Sequence, residues 1–131
     1  MTAATDIKSP IELLLIDDEK GFVATLSKRL ARRNINATQA YSGREGIQAM
    51  RKADFDVVVL DLKMEDMDGL EVLKILKIMA PHTPVIMLSG HASDETAHKG
   101  IEAGAYDYLT KPYGLDELID KIVKAIGSPK K

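Results

Sequence analysis

Short apolar runs and helix-spaced stripes alternate along this chain five times, and that alternation limits the fold more than any other feature. Glu12-Leu13-Leu14-Leu15-Ile16, Asp56-Val57-Val58-Val59-Leu60 and Pro84-Val85-Ile86-Met87-Leu88 are short, mostly apolar and bounded by polar or turn residues. Runs of this kind are strands covered on both faces, as in a parallel sheet. Ala37 to Tyr41 and Ala105 to Leu109 are more polar, which suits edge strands. Between the runs, Phe22, Leu26 and Leu30 recur at helical spacing. Leu70, Leu73, Leu76 and Ile78 make a second stripe, and Leu115, Leu118, Ile119, Ile122, Val123 and Ile126 make the clearest one. Ser42-Gly43-Arg44-Glu45 is a capping-box pattern opening a further helix, with Ile47 and Met50 facing inward. The remaining helix runs from about Asp94 to Ala103, with Ser93 as its cap and Ala97 and Ile101 as its inward residues. It is the poorest in apolar residues, so it is expected to be the most mobile. Strict alternation predicts an α/β fold: a doubly wound, five-stranded parallel sheet with right-handed crossovers and helices on both faces.

Length and charge narrow the function. A chain of 131 residues is one domain. Residues 9–127 form it, with a loose tail at 1–8 and a tail or the start of a linker at 128–131. A net charge of −2 gives no bulk attraction for nucleic acid or anionic lipid. The absence of cysteine excludes a disulfide framework, a cysteine-ligated metal and a thiol nucleophile. No apolar run approaches the length of a membrane span, and the first residues lack the pattern of a secretory signal. The expectation is a cytoplasmic domain without a membrane or nucleic-acid partner.

In an open parallel sheet, ligands bind beyond the carboxyl ends of the strands. Asp17, Asp18 and Glu19 follow the first strand, Asp61 the third and Ser89 the fourth. Thr110, Lys111 and Pro112 follow the fifth. Each residue alone has an ordinary explanation as a cap, a turn or a surface charge. Together they bring carboxylates, a hydroxyl and an amine to one end of the sheet. Crowded carboxylates repel one another, and a divalent cation relieves that repulsion. Oxygen donors without His or Cys favour Mg2+, Ca2+ or Mn2+ over zinc. An aspartate there can act as a nucleophile towards phosphorus, with the metal, lysine and serine offsetting charge on the transferring group.

From about Ile11 to Ile126 the chain closely resembles the receiver domain of two-component response regulators. The resemblance rests on Asp17-Asp18, on Asp61-Leu62-Lys63-Met64 running into Met67-Asp68-Gly69, on Ser89-Gly90, on Tyr108 and on Lys111-Pro112. It implies a flavodoxin-like (βα)5 fold with strand order 2-1-3-4-5. It implies that Asp61 accepts a phosphoryl group from a sensor histidine kinase or phosphotransfer protein. Asp17, Asp18, Asp61 and the backbone carbonyl of Lys63 are then the ligands of Mg2+, with Mn2+ a possible substitute. Ser89 and Lys111 contact the phosphoryl oxygens, Ser89 and Tyr108 form the switch, and the bond before Pro112 is cis. The output face is helix 4, strand 5 and helix 5, through which receivers also dimerise. Such a domain is a signalling phosphoprotein that dephosphorylates itself slowly, not a turnover enzyme. Lys63 and His91 occupy positions that tune hydrolysis in this family. One departure stands out: the family often has proline after the methionine of the acceptor turn, and Glu65 is there instead. That adds charge and loosens the loop.

Two other readings compete. An aspartyl-phosphate phosphatase needs a second aspartate two residues after its nucleophile, where this chain has Lys63. A degenerate receiver would serve as a phosphorylation-independent docking module, and the complete set Asp17, Asp18, Asp61, Ser89 and Lys111 argues against it. The sequence does not identify the kinase, the downstream effector or the oligomeric state.

Overall fold

The computed structural model describes residues 7–90 and 94–127. Strands β1 (Ile11–Ile16), β2 (Ile35–Ala40), β3 (Val57–Asp61), β4 (Val85–Ser89) and β5 (Asp107–Thr110) alternate with helices α1 (Lys20–Ala31), α2 (Gly43–Lys52), α3 (Gly69–Met79), α4 (Asp94–Glu102) and α5 (Leu115–Gly127). The sheet is parallel throughout, in the order β2-β1-β3-β4-β5. Element types and strand order agree with the sequence expectation, with strand limits displaced by one or two residues.

The uninterrupted apolar runs are explained by a core on each side of the sheet. Leu13, Leu15, Val57, Val59, Ile86 and Leu88 point to the side covered by α1 and α5. Leu14, Ile16, Val58, Leu60, Val85 and Met87 point to the side covered by α2 and α3. Successive strand residues face opposite ways, so a strand buried on both sides must be apolar at every position.

Helix starts follow the expected chemistry in α2. Ser42 Oγ accepts from the Glu45 N–H at 3.0 Å, and Glu45 Oε1 accepts from the Tyr41 N–H at 2.8 Å. The glutamate thus reaches one residue further back than the usual capping box. Asp68 caps α3 through the Leu70 N–H at 3.0 Å. Position 93, the expected cap of α4, lies outside the described residues.

Three stripe assignments are corrected. Ile78 is 81% exposed, because α3 buries Val72, Leu73 and Leu76, and Ile78 lies two residues, more than half a turn, beyond Leu76. Ile126 is on the exposed edge of α5, whose buried residues are Leu118, Ile119, Ile122 and Ala125. Ile101 is 43% exposed and does not face inward. The buried position in that part of α4 is Gly100, where an added Cβ would collide with Sδ and Cε of Met87. The helix meets the sheet on its glycine, and one residue further on Ile101 is turned about 100° away.

Gly69 carries the tightest backbone approach next to the carboxyl ends of the strands. A Cβ there would sit 2.5 Å from the Leu62 Cα and carbonyl oxygen. Main chain cannot move aside cheaply, so Gly69→Ala is expected to lower stability by about 1–3 kcal/mol in urea unfolding. Gly21, in the first turn of α1, has open space around it. Gly21→Ala is expected to raise stability by about 0.5 kcal/mol.

Candidate functional site

Sheet register brings two aspartates to one level. Ile16 lies opposite Leu60 across β1 and β3, so Asp17 and Asp61 follow at neighbouring strand ends. Asp17 is fully buried and Asp61 nearly so, at 4% exposure. Lys111 arrives from the end of β5, where its N–H donates to the Ser89 carbonyl at 2.7 Å. The Lys111–Pro112 bond is cis. The Lys111 Nζ stands 3.4 Å from Asp17 Oδ2, 3.4 Å from Glu19 Oε1 and 3.6 Å from Asp61 Oδ2. It also lies 4.9 Å from the centre of the Phe22 ring, within cation–π range.

Burial, and then the neighbouring Asp17 charge, push the Asp61 carboxyl up from 3.8 to about 6. The Lys111 ammonium and the Lys63 N–H, which donates to Asp61 Oδ1 at 3.2 Å, pull the other way without cancelling this. Burial disfavours charge on Lys111, but Asp61, Asp17 and Glu19 outweigh it and hold the ammonium above its ordinary value. Tyr113 is raised by burial first and then by the fields of Asp17 and Asp61. Its hydroxyl is buried and has no hydrogen-bond partner among the described residues.

Of the residues picked out by sequence, Asp17, Asp61 and Lys111 are brought into contact. Glu19 joins them: Asp17, Glu19 and Asp61 each offer an oxygen within 4.8 Å of the others. The Asp18 carboxylate is outside that trio, and its Oδ2 accepts from the Glu65 N–H at 3.2 Å. Lys63 sends its N–H to Asp61 and leaves its side chain exposed. Ser89 ends β4 one residue beyond Leu88, the register partner of Asp61. Tyr108 lies opposite Met87 in β5 and is half-buried against the core under α2 and α3. His91 lies outside the described residues.

The sequence reading places Glu19 at this end of the sheet without a specific role, and it gives Phe22 and Tyr113 no part in the site. Each had a positional signal. Glu19 directly follows the aspartate pair, Phe22 is three residues on in the first turn of α1, and Tyr113 is two residues past Lys111. Glu19 is the N-cap of α1, yet its side chain makes no capping bond. Beside Lys111, a cavity of about 430 Å³ opens between α1 and the start of α5, lined by Phe22, Leu26, Arg29, Tyr113 and Leu115 among others.

The donor set fits a hard divalent cation. It is all oxygen, and a cation would offset both the burial and the neighbouring Asp17 charge that raise the Asp61 carboxyl. Asp17 and Asp61 supply carboxylates, with Glu19 beside them, Asp18 next in the chain and the Lys63 carbonyl two residues past Asp61.

A parallel α/β sheet with acidic residues and a lysine at one end matches a known family. The profile of the response regulator receiver domain matches residues 13–123, and the chain belongs to that family. It is 35% identical over 120 residues to the transcriptional regulatory protein ZraR of Salmonella typhimurium. That match covers 92% of this chain and 27% of ZraR, so the chain spans about a quarter of that relative's length. Among solved structures, the receiver domain of the Francisella response regulator 1452 is 34% identical, with a TM-score of 0.83 over 88% of this chain and 96% of that one. A Burkholderia pseudomallei response regulator with a phosphorylated aspartic acid, a calcium ion and citrate is 28% identical, with a TM-score of 0.82 over 88% of this chain and 68% of that one. Receiver domains are signalling domains of two-component systems.

The raised Asp61 carboxyl has a consequence for stability. The native protein keeps that proton up to about pH 6, while the unfolded chain releases it near 3.8. Native protein therefore binds more protons in this window, and this contribution to stability is lost as pH rises through it. In the presence of a chelator, Asp61→Asn is expected to be more stable than the unaltered chain by roughly 2–3 kcal/mol at pH 7.5. The gap should close by about pH 4 in urea titrations. An equal gap at all pH values would contradict it.

Proposed function

We propose that the chain is a working phosphoacceptor receiver, in which Asp61 takes a phosphoryl group from the phosphohistidine of a sensor kinase or phosphotransfer protein. The observation that carries this is the approach of the Lys111 ammonium to both buried carboxylates, Asp17 and Asp61. A carboxylate oxygen of Asp61 attacks phosphorus. The O–P bond forms as the P–N bond breaks, and the imidazole leaves with the electron pair. Mg2+, or Mn2+ in its stead, would be held by Asp17, Asp18, Asp61 and the Lys63 carbonyl, and would offset charge on the transferring group. Lys111 remains within reach of the acceptor through the transfer, and the Ser89 hydroxyl donates to a phosphoryl oxygen. The cavity beside Lys111 gives an incoming donor protein an apolar seat next to the acceptor.

Phosphorylation adds roughly 1.5 to 2 negative charges at the strand ends. Ser89 is drawn toward them, and Tyr108, half-buried in the neighbouring strand, fills the space left behind. The surface of α4, β5 and α5 then binds a downstream effector or a second copy of the chain. Only differential binding by the two states makes this a switch, and a full one needs about 5 kcal/mol of bias. Among the described residues no helix is long and apolar enough to cross a membrane, which accords with a cytoplasmic site of action.

Intact-mass measurement after incubation with acetyl phosphate tests the chemistry. One added phosphoryl group that requires both Mg2+ and Asp61, and is absent in Asp61→Ala, is the expected result. Absence of an adduct, together with failure to form a beryllofluoride complex, would shift the function to phosphorylation-independent docking. Once the adduct is in hand, Lys63→Ala and His91→Ala are each expected to change its decay rate several-fold. Unchanged decay in both would remove these residues from the control of hydrolysis.

A further inference from the structure

The loop from Leu62 to Asp68 joins the acceptor strand to α3, and it is fastened in a way that neither the site chemistry nor the family pattern requires. Asp66 Oδ1 accepts from the Gly43 N–H at 3.0 Å, and its Oδ2 accepts from the Arg44 N–H at 3.2 Å. These are the first two amides of α2. The third, Glu45 N–H, goes to Ser42 Oγ at 3.0 Å, and the fourth, Gly46 N–H, to the Ser42 carbonyl at 3.0 Å. The Gly46 bond is the first within the helix, so of the Gly43, Arg44 and Glu45 amides, which lack an intrahelical partner, two go to one carboxylate from another segment. A carboxylate across two amides at a helix N-terminus is a charge-assisted contact that also meets the positive end of the helix dipole. Slight burial works against charge on Asp66, but the Gly43 and Arg44 amides outweigh it and hold its carboxyl below its ordinary value. Met67 adds packing, since its Cβ and Sδ line the space where a side chain on Gly43 would fall.

The residue before Asp66 has a second use. Glu65 stands where the family often has proline, and proline has no N–H. Here the Glu65 N–H donates to Asp18 Oδ2 at 3.2 Å, linking segments 47 residues apart. The departure that removes the rigidity of proline thus supplies a donor that proline could not. Asp66 and Glu65 are adjacent, so the clamp on α2 fixes the position of the amide that holds Asp18.

We propose that Asp66 and the Glu65 amide act as positioning groups for the acidic pair: the Asp66 carboxylate fastens the acceptor loop to the start of α2, and the Glu65 N–H orients Asp18 for cation binding. This rests on the reading of Asp18 as a metal ligand. Neither residue needs to touch the cation. Groups that orient a ligand in this manner change metal affinity by about tenfold or more when removed.

The test uses the whole chain, with Mg2+ titrated by calorimetry and amide exchange of Gly43, Arg44 and Glu65 followed by NMR without metal. Asp66→Ala is expected to speed exchange at all three amides and to weaken Mg2+ binding about tenfold. Asp66→Asn keeps one acceptor oxygen and should recover most of both effects, which separates loss of the clamp from general unfolding. Glu65→Pro should weaken Mg2+ similarly while the Gly43 and Arg44 amides stay protected. Unchanged exchange at Glu65 in Asp66→Ala would overturn the clamp, whatever the metal does. Faster exchange with Mg2+ affinity within twofold of the unaltered chain would overturn the link to Asp18. If the unaltered chain itself binds no Mg2+ at millimolar concentration, it is the reading of a metal centre that fails, and the orienting role fails with it.

Discussion

Asp17 and Asp61 leave adjacent strands at the same level, both out of water, and their mutual repulsion is checked by a single ammonium. Almost everything else at this end of the molecule serves that unfavourable arrangement. The parallel register keeps the two carboxylates level. Lys111 is delivered from three strands away, its main chain tied to Ser89 and its side chain set between carboxylates and the Phe22 ring. A site held under such strain of charge favours anything that brings positive charge to it or takes negative charge off it. Protonation of Asp61 and cation binding are two answers to the same excess.

The two-sided core makes this possible. Burying a carboxylate at a strand end requires that the strand enter from a fully covered sheet, and β1 and β3 are covered on both faces. The edge strands are not. β2 keeps Asn36, Thr38 and Gln39 exposed, and the described residues of the site come from β1, β3, β4, β5 and the loops that follow them. The two buried carboxylates therefore leave the central strands β1 and β3, while the edge strand β5 delivers the partly exposed Lys111.

Much of this was legible in the sequence because it depends on period and order. Alternation of strand runs and helical stripes set the fold class, and Asp17, Asp61 and Lys111 were found from their positions at strand exits. The misreadings arose where one residue's contact overrode periodicity. Ile101 belongs to an apolar stripe by spacing, but the close approach of Gly100 to Met87 rotates it outward. Ile78 was placed in its stripe by hydrophobicity alone, two residues from the last buried position. In the site, Glu19 was in view as one more acid after a strand. Nothing in the sequence says that its carboxylate would leave its own helix uncapped and turn to Lys111. Tyr113 and the Asp66 link to α2 depend on loop paths, which carry no periodic signal.

Helices are normally keyed to what lies beneath them by side chains that fit between opposing side chains, and shifting such a contact means lifting one set over the other. At Gly100 α4 offers bare main chain, and beneath it lies Met87, an unbranched thioether that changes rotamer without changing volume. The contact is close but has no teeth. It resists separation, since pulling α4 away would open a void, yet it opposes sideways travel only weakly. For a helix next to a strand whose end lies beside a charge-bearing aspartate, that is the behaviour of a bearing.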